Sequence, residues 1–409
     1  MKSFDIPEIY KSNLITTIKQ VRRAKDKLKK DFSPTELDFG NVKILLSRHF
    51  GFCYGVENAV EIAYKTLEDN PGSSIFLLSE MIHNPEVNAD LLSRGVKFLM
   101  DTKGQKLIDF ESLEKDDIVI VPAFGTTIEL QNELSKKGIN PYKYDTTCPF
   151  VEKVWNRAAQ IGERGYTIVL HGKPDHEETR ATFSHSKENT PTIVVKDMAD
   201  AQKLAAYIRK EKSKEEFHRE FEGKFSENFN PETDLDRIGV VNQTTMLASE
   251  TQAIADYLKS EIISFRKISE LESQAYFANT RDTLCYATND NQEATQALML
   301  TDADAAIIVG GYSSSNTTHL VELLEQKMPS YFIRNADSLL SLSHVEGFDI
   351  HSKSVISDYT FLSKLENPVI ALTCGASCPD SIFEDVLVKL LSFYGISEES
   401  ISEKINLMQ

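Results

Sequence analysis

The amino-acid sequence predicts an α/β protein made of three α/β domains with mostly parallel sheets. Short apolar runs alternate with segments of helical periodicity along most of the chain, which is the pattern of repeated strand and helix units. Most of these runs are followed by glycine, serine or proline, the residues that mark the passage from a buried strand to a helix. At 409 residues the chain is also long enough for two or three domains with substantial cores.

Composition narrows the class of protein. With 41% hydrophobic and 26% charged residues, the chain resembles an ordinary globular protein. Its net charge of −17 disfavours binding to nucleic acid or to an anionic membrane. No apolar run is long enough to span a bilayer, and Asp5 and Glu8 lie where a signal peptide would need an apolar core. Five cysteines without close pairing favour reduced thiols, so we expect a cytoplasmic protein.

Residues 1–40 form an N-terminal extension ahead of the repeated pattern. Its second half carries a basic, helical run that consists of Arg22, Arg23, Lys25, Lys27, Lys29 and Lys30. On an otherwise acidic protein, such a run could dock an acidic partner protein. A solvated helix face is the commoner reason for a run of charges, so the sequence leaves both interpretations open.

The first α/β domain is predicted at residues 41–147, with a C-terminal helical segment at 381–409 added to it. Its apolar runs predict strands of one parallel sheet at 42–46, 75–78 and 118–121. Ligands of parallel sheets bind beyond the carboxyl ends of the strands, which is where Cys53, His83 and Phe124 fall.

The second domain is predicted at residues 148–280. Its first strand, at 166–170, leads into a loop rich in titratable groups at 171–179, and its next strand, at 238–241, leads into the polar residues 243–245. A charged insert at 211–236 carries phenylalanines every four residues, which predicts an amphipathic helix that packs through Phe217, Phe221, Phe225 and Phe229.

The third domain is predicted at residues 281–380. A strand at 305–309 leads to Ser314 as the N-cap of a helix, and a strand at 369–373 leads to the small residues 375–377 before the last helix. Helix starts rich in serine and glycine bind anions, because unpaired backbone N–H groups and the helix dipole favour negative charge. An ordinary N-cap needs only one such side chain. Two such starts would hold an anion without any lysine.

Three cysteines occupy similar positions in the three domains. Cys53 lies between two glycines at a predicted helix start, Cys148 precedes Pro149, which suits a first helical position, and Cys285 precedes another helical pattern. A thiol at a helix N-terminus is biased toward thiolate, the form that binds metal. One such cysteine is more often a packing residue, and the wide spacing is unlike a zinc ribbon or a ferredoxin run. The spacing suits one ligand from each domain at a common centre.

Eight motifs occur in an order that resembles the LytB/IspH family of 4-hydroxy-3-methylbut-2-enyl diphosphate reductases. They are GFCYGV at 51–56, IHNP at 82–85, DTTCP at 145–149, HEET at 176–179, QTT at 243–245, CYAT at 285–288, SSN at 314–316 and GASCPD at 375–380. The similarity runs from about residue 42 to about residue 390. Long spacers and the charged insert are more similar to the longer plant and cyanobacterial branch.

The resemblance implies a cofactor and a reaction. The three domains would be arranged with pseudo-threefold symmetry around one central [4Fe-4S] cluster per chain, held by Cys53, Cys148 and Cys285, with one iron left open as a Lewis acid. The reaction would be the two-electron reductive dehydroxylation of 4-hydroxy-3-methylbut-2-enyl diphosphate to isopentenyl and dimethylallyl diphosphate, the last step of the methylerythritol phosphate pathway. Reduced ferredoxin or flavodoxin would supply the electrons.

The resemblance also implies roles for side chains. Glu178 would protonate the departing hydroxyl, with Thr244 close to it. If residues 176–179 form an extended loop, Glu177 and Glu178 point in opposite directions and only Glu178 faces the cluster. The substrate-binding set implied by the family consists of His83, His176, Thr288, Ser314, Ser315, Asn316 and Ser377.

Two features depart from the expected pattern. Phe124 stands where short bacterial members carry a histidine, so one diphosphate contact is absent or comes from elsewhere, for example from Thr126 or Thr127. Cys374 and Cys378 flank the predicted site residues 375–377, so residue chemistry alone would allow either as a fourth ligand. The family pattern implies that both are packing residues.

Two other functions remain as alternatives. An enzyme similar to quinolinate synthase would also place three cysteines on an open cluster, but it dehydrates and condenses instead of reducing. An iron-sulfur sensor would need neither Glu178 nor paired anion-binding helix starts. The order of the motifs favours the reductase.

Overall fold

The computed structural model describes residues 4–278, 283, 285–363 and 365–408. Its helices are α1 Asn13–Lys25, α2 Tyr54–Asp69, α3 Pro85–Ser93, α4 Ile128–Lys136, α5 Pro149–Glu163, α6 Glu177–Lys187, α7 Met198–Ile208, α8 Lys214–Glu220, α9 Ala248–Arg266, α10 Tyr286–Met299, α11 Ser315–Leu324, α12 Asp380–Ser392 and α13 Glu398–Asn406. Its strands are β1 Thr35–Asp38, β2 Lys43–Leu46, β3 Ile75–Leu77, β4 Lys97–Phe98, β5 Ile118–Ile120, β6 Thr167–His171, β7 Thr192–Val195, β8 Ile238–Asn242, β9 Phe277–Ala278, β10 Ala305–Val309, β11 Ser330–Ile333, β12 Leu339–Ser341, β13 His344–Asp349, β14 Ser354–Asp358 and β15 Val369–Cys374.

The chain separates into two compact units. The terminal unit consists of the described residues within Met1–Tyr64, Ile82–Asp90 and Tyr286–Gln409, and the middle unit consists of those within Lys65–Met81 and Leu91–Cys285. The division into three domains at residues 148 and 281 therefore stays a prediction. The α/β class with mostly parallel sheets is confirmed, since parallel pairing dominates three of the four sheets.

The main sheet of the terminal unit has the strand order β1-β2-β15-β10-β11. All pairings except β1 with β2 are parallel, and Ile44 lies opposite Ile370. The prediction that 42–46 shares a sheet with 75–78 and 118–121 is wrong, because β3 and β5 form a separate sheet in the order β4-β3-β5. An apolar run predicts that a strand is buried. Which strand it pairs with depends on packing across the whole chain.

The N-terminal extension is built into the terminal unit. The β1 strand pairs antiparallel with β2, and Ile15 and Ile18 of α1 are buried in the core that also contains Phe383. Lys19 forms an ion pair with Asp380 at 2.7 Å. The β1 strand was not predicted from the sequence, because only Leu37 of its four residues is apolar. A second sheet of the unit, β12-β13-β14, is antiparallel.

The middle unit contains the sheet β4-β3-β5 and the parallel sheet β7-β6-β8-β9. The phenylalanines of the insert do pack in its core, but not along one helix. The α8 helix ends at Glu220, and Gly223 adopts φ +73°, a conformation that ends helices. The stacked rings of Phe217 and Phe229, 5.1 Å apart, are therefore joined by a turn and a loop. Residues 142–144, ahead of Cys148, form a turn.

No helix in the described part of the chain is long and apolar enough to cross a membrane.

Candidate active site

The three cysteines lie directly before helices, as predicted. Cys53 precedes α2, Cys148 is the N-cap of α5 with Pro149 in the first turn, and Cys285 precedes α10. Cys53 and Cys148 are half-buried and Cys285 is buried. Gly51 has φ +82°, which lets the chain turn sharply after β2, and the Cys53 N–H donates to the Ala376 carbonyl at 3.1 Å.

The three cysteines are of the ligand type that binds an iron-sulfur cluster. The N-terminal end of a helix stabilises thiolate, and iron-sulfur clusters are held by thiolates. Cys53 belongs to the terminal unit, and Cys148 and Cys285 belong to the middle unit. Over residues 4–278, 283, 285–363 and 365–408, no group of three or more His, Cys, Asp or Glu side chains is close enough to hold a metal ion. The ligand set therefore stays a proposal.

Glu178 is held by Thr244 through both carboxylate oxygens. The Thr244 backbone N–H donates to one oxygen, and the Thr244 hydroxyl lies 2.9 Å from the other. Both side chains are buried, with 2% of Glu178 exposed. The proximity of Thr244 to Glu178, which the resemblance implied, is thus present in the middle unit. It arises because β8 ends at Asn242 and delivers Thr244 to the start of α6.

The segment around Glu178 is helical, so the expectation of an extended loop is wrong. The α6 helix begins at Glu177, and Nδ1 of His176 accepts a hydrogen bond from the Glu178 N–H at 3.2 Å. Histidine is an unusual N-cap, which is why the sequence did not reveal this helix start. Neighbouring helical side chains still diverge by about 100°. The Ser79 hydroxyl donates to Glu177 at 2.6 Å, whereas Thr244 holds Glu178.

His176 has a defined role at this helix start. Because its Nδ1 accepts the Glu178 N–H, the neutral ring carries its proton on Nε2, which can donate to an anion. The ring lies edge-on to Phe124, with centroids 5.7 Å apart. Of the two threonines suggested as replacements for the histidine missing at 124, Thr127 caps α4 by accepting the Leu130 N–H, and the Thr126 carbonyl contacts His185.

Gln243 is a site residue that the sequence analysis did not single out. Its side-chain oxygen accepts hydrogen bonds from the Lys173 N–H at 3.1 Å and from the Thr179 hydroxyl at 2.9 Å. Gly172 packs so closely that a Cβ there would lie 2.6 Å from the Thr179 hydroxyl. Gln243 therefore ties the segment after β6 to the segment after β8. Its place in the QTT motif was the available signal.

The start of α11 contains a buried amide without hydrogen-bond partners. Ser314 is the N-cap and accepts from both the N–H and the hydroxyl of Thr317, at 3.2 and 2.9 Å. Asn316 is 4% exposed, and neither its Nδ2 nor its Oδ1 has a partner in the described part of the chain. Buried polar groups are nearly always hydrogen-bonded, so this amide indicates a place for a ligand.

Two other predicted binding residues of the terminal unit, His83 and Ser377, lie on closely packed loops. The Ser377 hydroxyl donates to the His83 carbonyl at 3.1 Å, and a Cβ on Gly311 would lie 2.5 Å from that same carbonyl. His83 and Ser377 are buried. Thr288 is buried in the first turn of α10, after Cys285.

Cys374 and Cys378 are core residues. Both are fully buried in the apolar core of the terminal unit. Burial, together with a hydrogen bond to Cys374, raises the pKa of the Cys378 thiol well above its ordinary value. A metal ligand needs the opposite shift, so this environment supports packing and not ligation.

Comparisons with known proteins agree with these observations. The sequence model of the LytB protein family matches residues 44–391. A 4-hydroxy-3-methylbut-2-enyl diphosphate reductase from Gloeobacter violaceus is 36% identical over 370 residues, which cover 90% of this chain and 87% of the relative. The enzyme of the same name from Microcystis aeruginosa is 38% identical over 358 residues, covering 87% and 86%.

A solved structure shares the fold. The E-1-hydroxy-2-methyl-but-2-enyl-4-diphosphate reductase from Plasmodium falciparum superimposes with a TM-score of 0.62 at 22% identity, covering 88% of this chain and 90% of that one. The resemblance inferred from eight motifs, including its cyanobacterial character, is confirmed. The chain belongs to the LytB protein family.

Proposed function

We propose that this chain is a reductase that converts 4-hydroxy-3-methylbut-2-enyl diphosphate to isopentenyl and dimethylallyl diphosphate. The reaction consumes two electrons and two protons and releases the hydroxyl group as water. One observation carries the proposal: in a chain of this family, each of three cysteines directly precedes a helix. The relatives of this chain carry the name of the same reductase.

The cofactor would be one [4Fe-4S] cluster held by Cys53, Cys148 and Cys285. These thiols fit such a group, because each lies at the N-terminal end of a helix, where thiolate is favoured. When bound, the cluster supplies single electrons and, at an iron without a protein ligand, Lewis acidity. Cys374 and Cys378 would be packing residues, because both are fully buried in the apolar core of the terminal unit.

Glu178 would donate the proton that the departing hydroxyl group requires. Its position supports this role, because Thr244 holds the carboxyl group at both oxygens inside the protein. A threonine hydroxyl both donates and accepts, so Thr244 can hold Glu178 in either protonation state. The Thr244 backbone N–H donates to Oε1 of Glu178. The acidic proton would therefore reside on Oε2, next to the Thr244 hydroxyl.

The diphosphate would be bound without a lysine. The hydroxyls of Ser314, Ser315 and Ser377, with Thr288, offer donors near helix starts, and the Asn316 amide offers a buried donor that has no partner among the described residues. His83 and Nε2 of His176 would add two ring donors. Hydrogen bonds to a charged partner contribute about 1.5–3 kcal/mol each, so several together suffice for tight binding.

Electrons would come from reduced ferredoxin or flavodoxin, both acidic proteins. The basic end of α1 and the residues after it offer a complementary surface, because Arg23, Lys27 and Lys30 are exposed. The small-molecule substrate and this donor are the partners that we propose.

Anaerobic turnover tests the proposal directly. The purified chain is given 4-hydroxy-3-methylbut-2-enyl diphosphate and a chemical reductant, and both the products and the consumed reductant are measured. We expect isopentenyl and dimethylallyl diphosphate with two electrons used for each molecule. A chain with a cluster but no turnover would indicate the sensor, and dehydration without electron consumption would indicate an enzyme similar to quinolinate synthase.

A further inference from the structure

Three polar side chains share one face of α11, beginning at its first residue. Ser315, His319 and Glu322 are spaced four and three residues apart. The Ser315 hydroxyl lies 3.4 Å from Nε2 of His319, and Nδ1 of His319 lies 2.5 Å from a carboxylate oxygen of Glu322. Ser315 and His319 are buried, while the Glu322 side chain is 39% exposed. A continuous row of contacts thus runs from a buried hydroxyl at the helix start to the protein surface.

Glu322 determines which nitrogen of His319 carries a proton. An ionised carboxylate only accepts hydrogen bonds, so Nδ1 must be the donor in this contact. In the neutral ring, Nε2 is then an acceptor, and the Ser315 hydroxyl donates its proton to it. A hydroxyl used in this way has no proton to offer to an anion.

An anion at the start of α11 reverses the direction of the Ser315 contact. Ser315 must donate to an oxygen of the anion, which leaves Nε2 of His319 without a donor. If Nε2 takes up a proton from solvent, it donates to the Ser315 oxygen, while Nδ1 still donates to Glu322. Ser315 keeps its own proton throughout. The positive charge of the ring is then paired with the carboxylate of Glu322, which makes both hydrogen bonds of the ring charge-assisted.

Among the residues that the structure describes, the other titratable groups of the elements packed against α11 have partners or positions of their own. The β10 strand, which packs on α11, carries no titratable side chain, and Tyr331 of β11 donates to Asp358. On α10, Tyr286 and Glu293 are exposed, and Asp290 lies near Lys29 and Arg48. Glu325, the residue that directly follows α11, contacts His351 at the surface.

We propose that Glu322, His319 and Ser315 form a positioning relay in which diphosphate binding at the start of α11 is coupled to uptake of one proton by His319. The inference rests on the proposed diphosphate-binding role of Ser315. It supplies a positive charge to a helix that contains no lysine or arginine. His319 and Glu322 act through Ser315 and do not touch the substrate.

Calorimetric titration with inorganic diphosphate tests the relay without relying on turnover. The anaerobically purified chain with its cofactor is titrated in two buffers of equal pH and different ionisation enthalpy, which reports the protons taken up on binding. We expect the wild type to take up about one proton more than His319→Gln or Glu322→Gln and to bind diphosphate roughly 10-fold more tightly. His351→Gln is the matched control, because that ring is 75% exposed and contacts Glu325. It should behave as the wild type.

Equal proton uptake and equal affinity in the wild type and His319→Gln would overturn the relay. Because His319 is buried, Glu322→Gln provides the same test at a partly exposed position should the first variant fail to fold. Selective ¹⁵N labelling of histidine adds a direct readout, since the His319 ring should change from a neutral to a doubly protonated signal when diphosphate is added. The Asn316→Leu variant separates the two proposals. If it binds diphosphate normally, the anion is not at α11; if only His319→Gln lacks an effect, the relay alone is wrong.

Discussion

Glu178 lies in the first turn of α6, and Thr244 holds both of its carboxylate oxygens. Glutamine in its place keeps the shape and can still accept the Thr244 N–H, but it has no acidic proton to give. We expect Glu178→Gln to retain iron and substrate binding and to lose about 10²–10⁴ in turnover rate. The measurements are iron content and anaerobic turnover. Glu177→Gln is the control and should stay active, because Glu177 contacts Ser79 instead; a dead Glu177→Gln beside an active Glu178→Gln would show that the wrong carboxylate was chosen.

Replacing Asn316 tests substrate binding separately from the stability of the fold. Its buried amide has no partner among the described residues, so leucine, which has the same number and branching of side-chain heavy atoms, removes a buried polar group that has no hydrogen bond to lose. We expect Asn316→Leu to be at least as stable as the wild type while binding substrate roughly 10- to 100-fold more weakly. Thermal unfolding and direct binding measurements check the two halves. Unchanged affinity would remove the anion from this helix start.

The cysteines divide into two groups by environment. Cys53, Cys148 and Cys285 precede helices, and Cys374 and Cys378 are fully buried in an apolar core. Serine at any of the first three should lower bound iron and abolish activity, whereas Cys374→Ala and Cys378→Ala should keep the iron and lose about 1–3 kcal/mol of stability from the cavities that they create. Iron content and denaturant unfolding are the measurements. Loss of iron in Cys374→Ala together with its retention in Cys285→Ser would contradict the assignment.

At the level of the elements, local signals in the sequence were sufficient where a helix starts at a familiar residue. Pro149 and Ser314 marked α5 and α11, and the apolar run 305–309 matched β10. The start of α6 was missed because His176 caps it through a ring nitrogen. The length of α8 was overestimated because the period of four in phenylalanine continues past Gly223, whose positive φ ends the helical path.

The contact between the segments after β6 and β8 has its own test in Gln243. Leucine there would leave the Lys173 N–H and the Thr179 hydroxyl without their acceptor inside the protein, at a cost of about 1–3 kcal/mol. Because those bonds hold α6 beside Thr244, we expect Gln243→Leu to lower kcat more than it raises KM. Thr245→Val removes only the acceptor of the Gln243 amide and should have a smaller effect. Steady-state kinetics and thermal unfolding decide, and an increase in KM alone would mean that Gln243 does not position the proton donor.

At the level of the whole molecule, strand pairing was the part that the sequence could not reveal. The β2 strand pairs with β15 near the other end of the chain, and the extension contributes β1 to the same sheet. Such partners are selected by the burial of Ile44 and Ile370 against one core, which no local pattern records. Motif order was more informative than periodicity here, because the segments at helix starts keep their chemistry whichever strands they follow.

The extension therefore has a structural role, and its exposed charges can be tested separately from that role. Ile15 and Ile18 anchor α1 in the core, while Arg23 and Lys27 face solvent. In Arg23→Glu/Lys27→Glu we expect unchanged thermal stability and unchanged turnover with a chemical reductant. Turnover driven by reduced ferredoxin should fall several-fold in kcat/KM and become less sensitive to salt, because complementary charge speeds the encounter of the two proteins. Equal rates with both reductants would instead assign these residues to an ordinary solvated helix face.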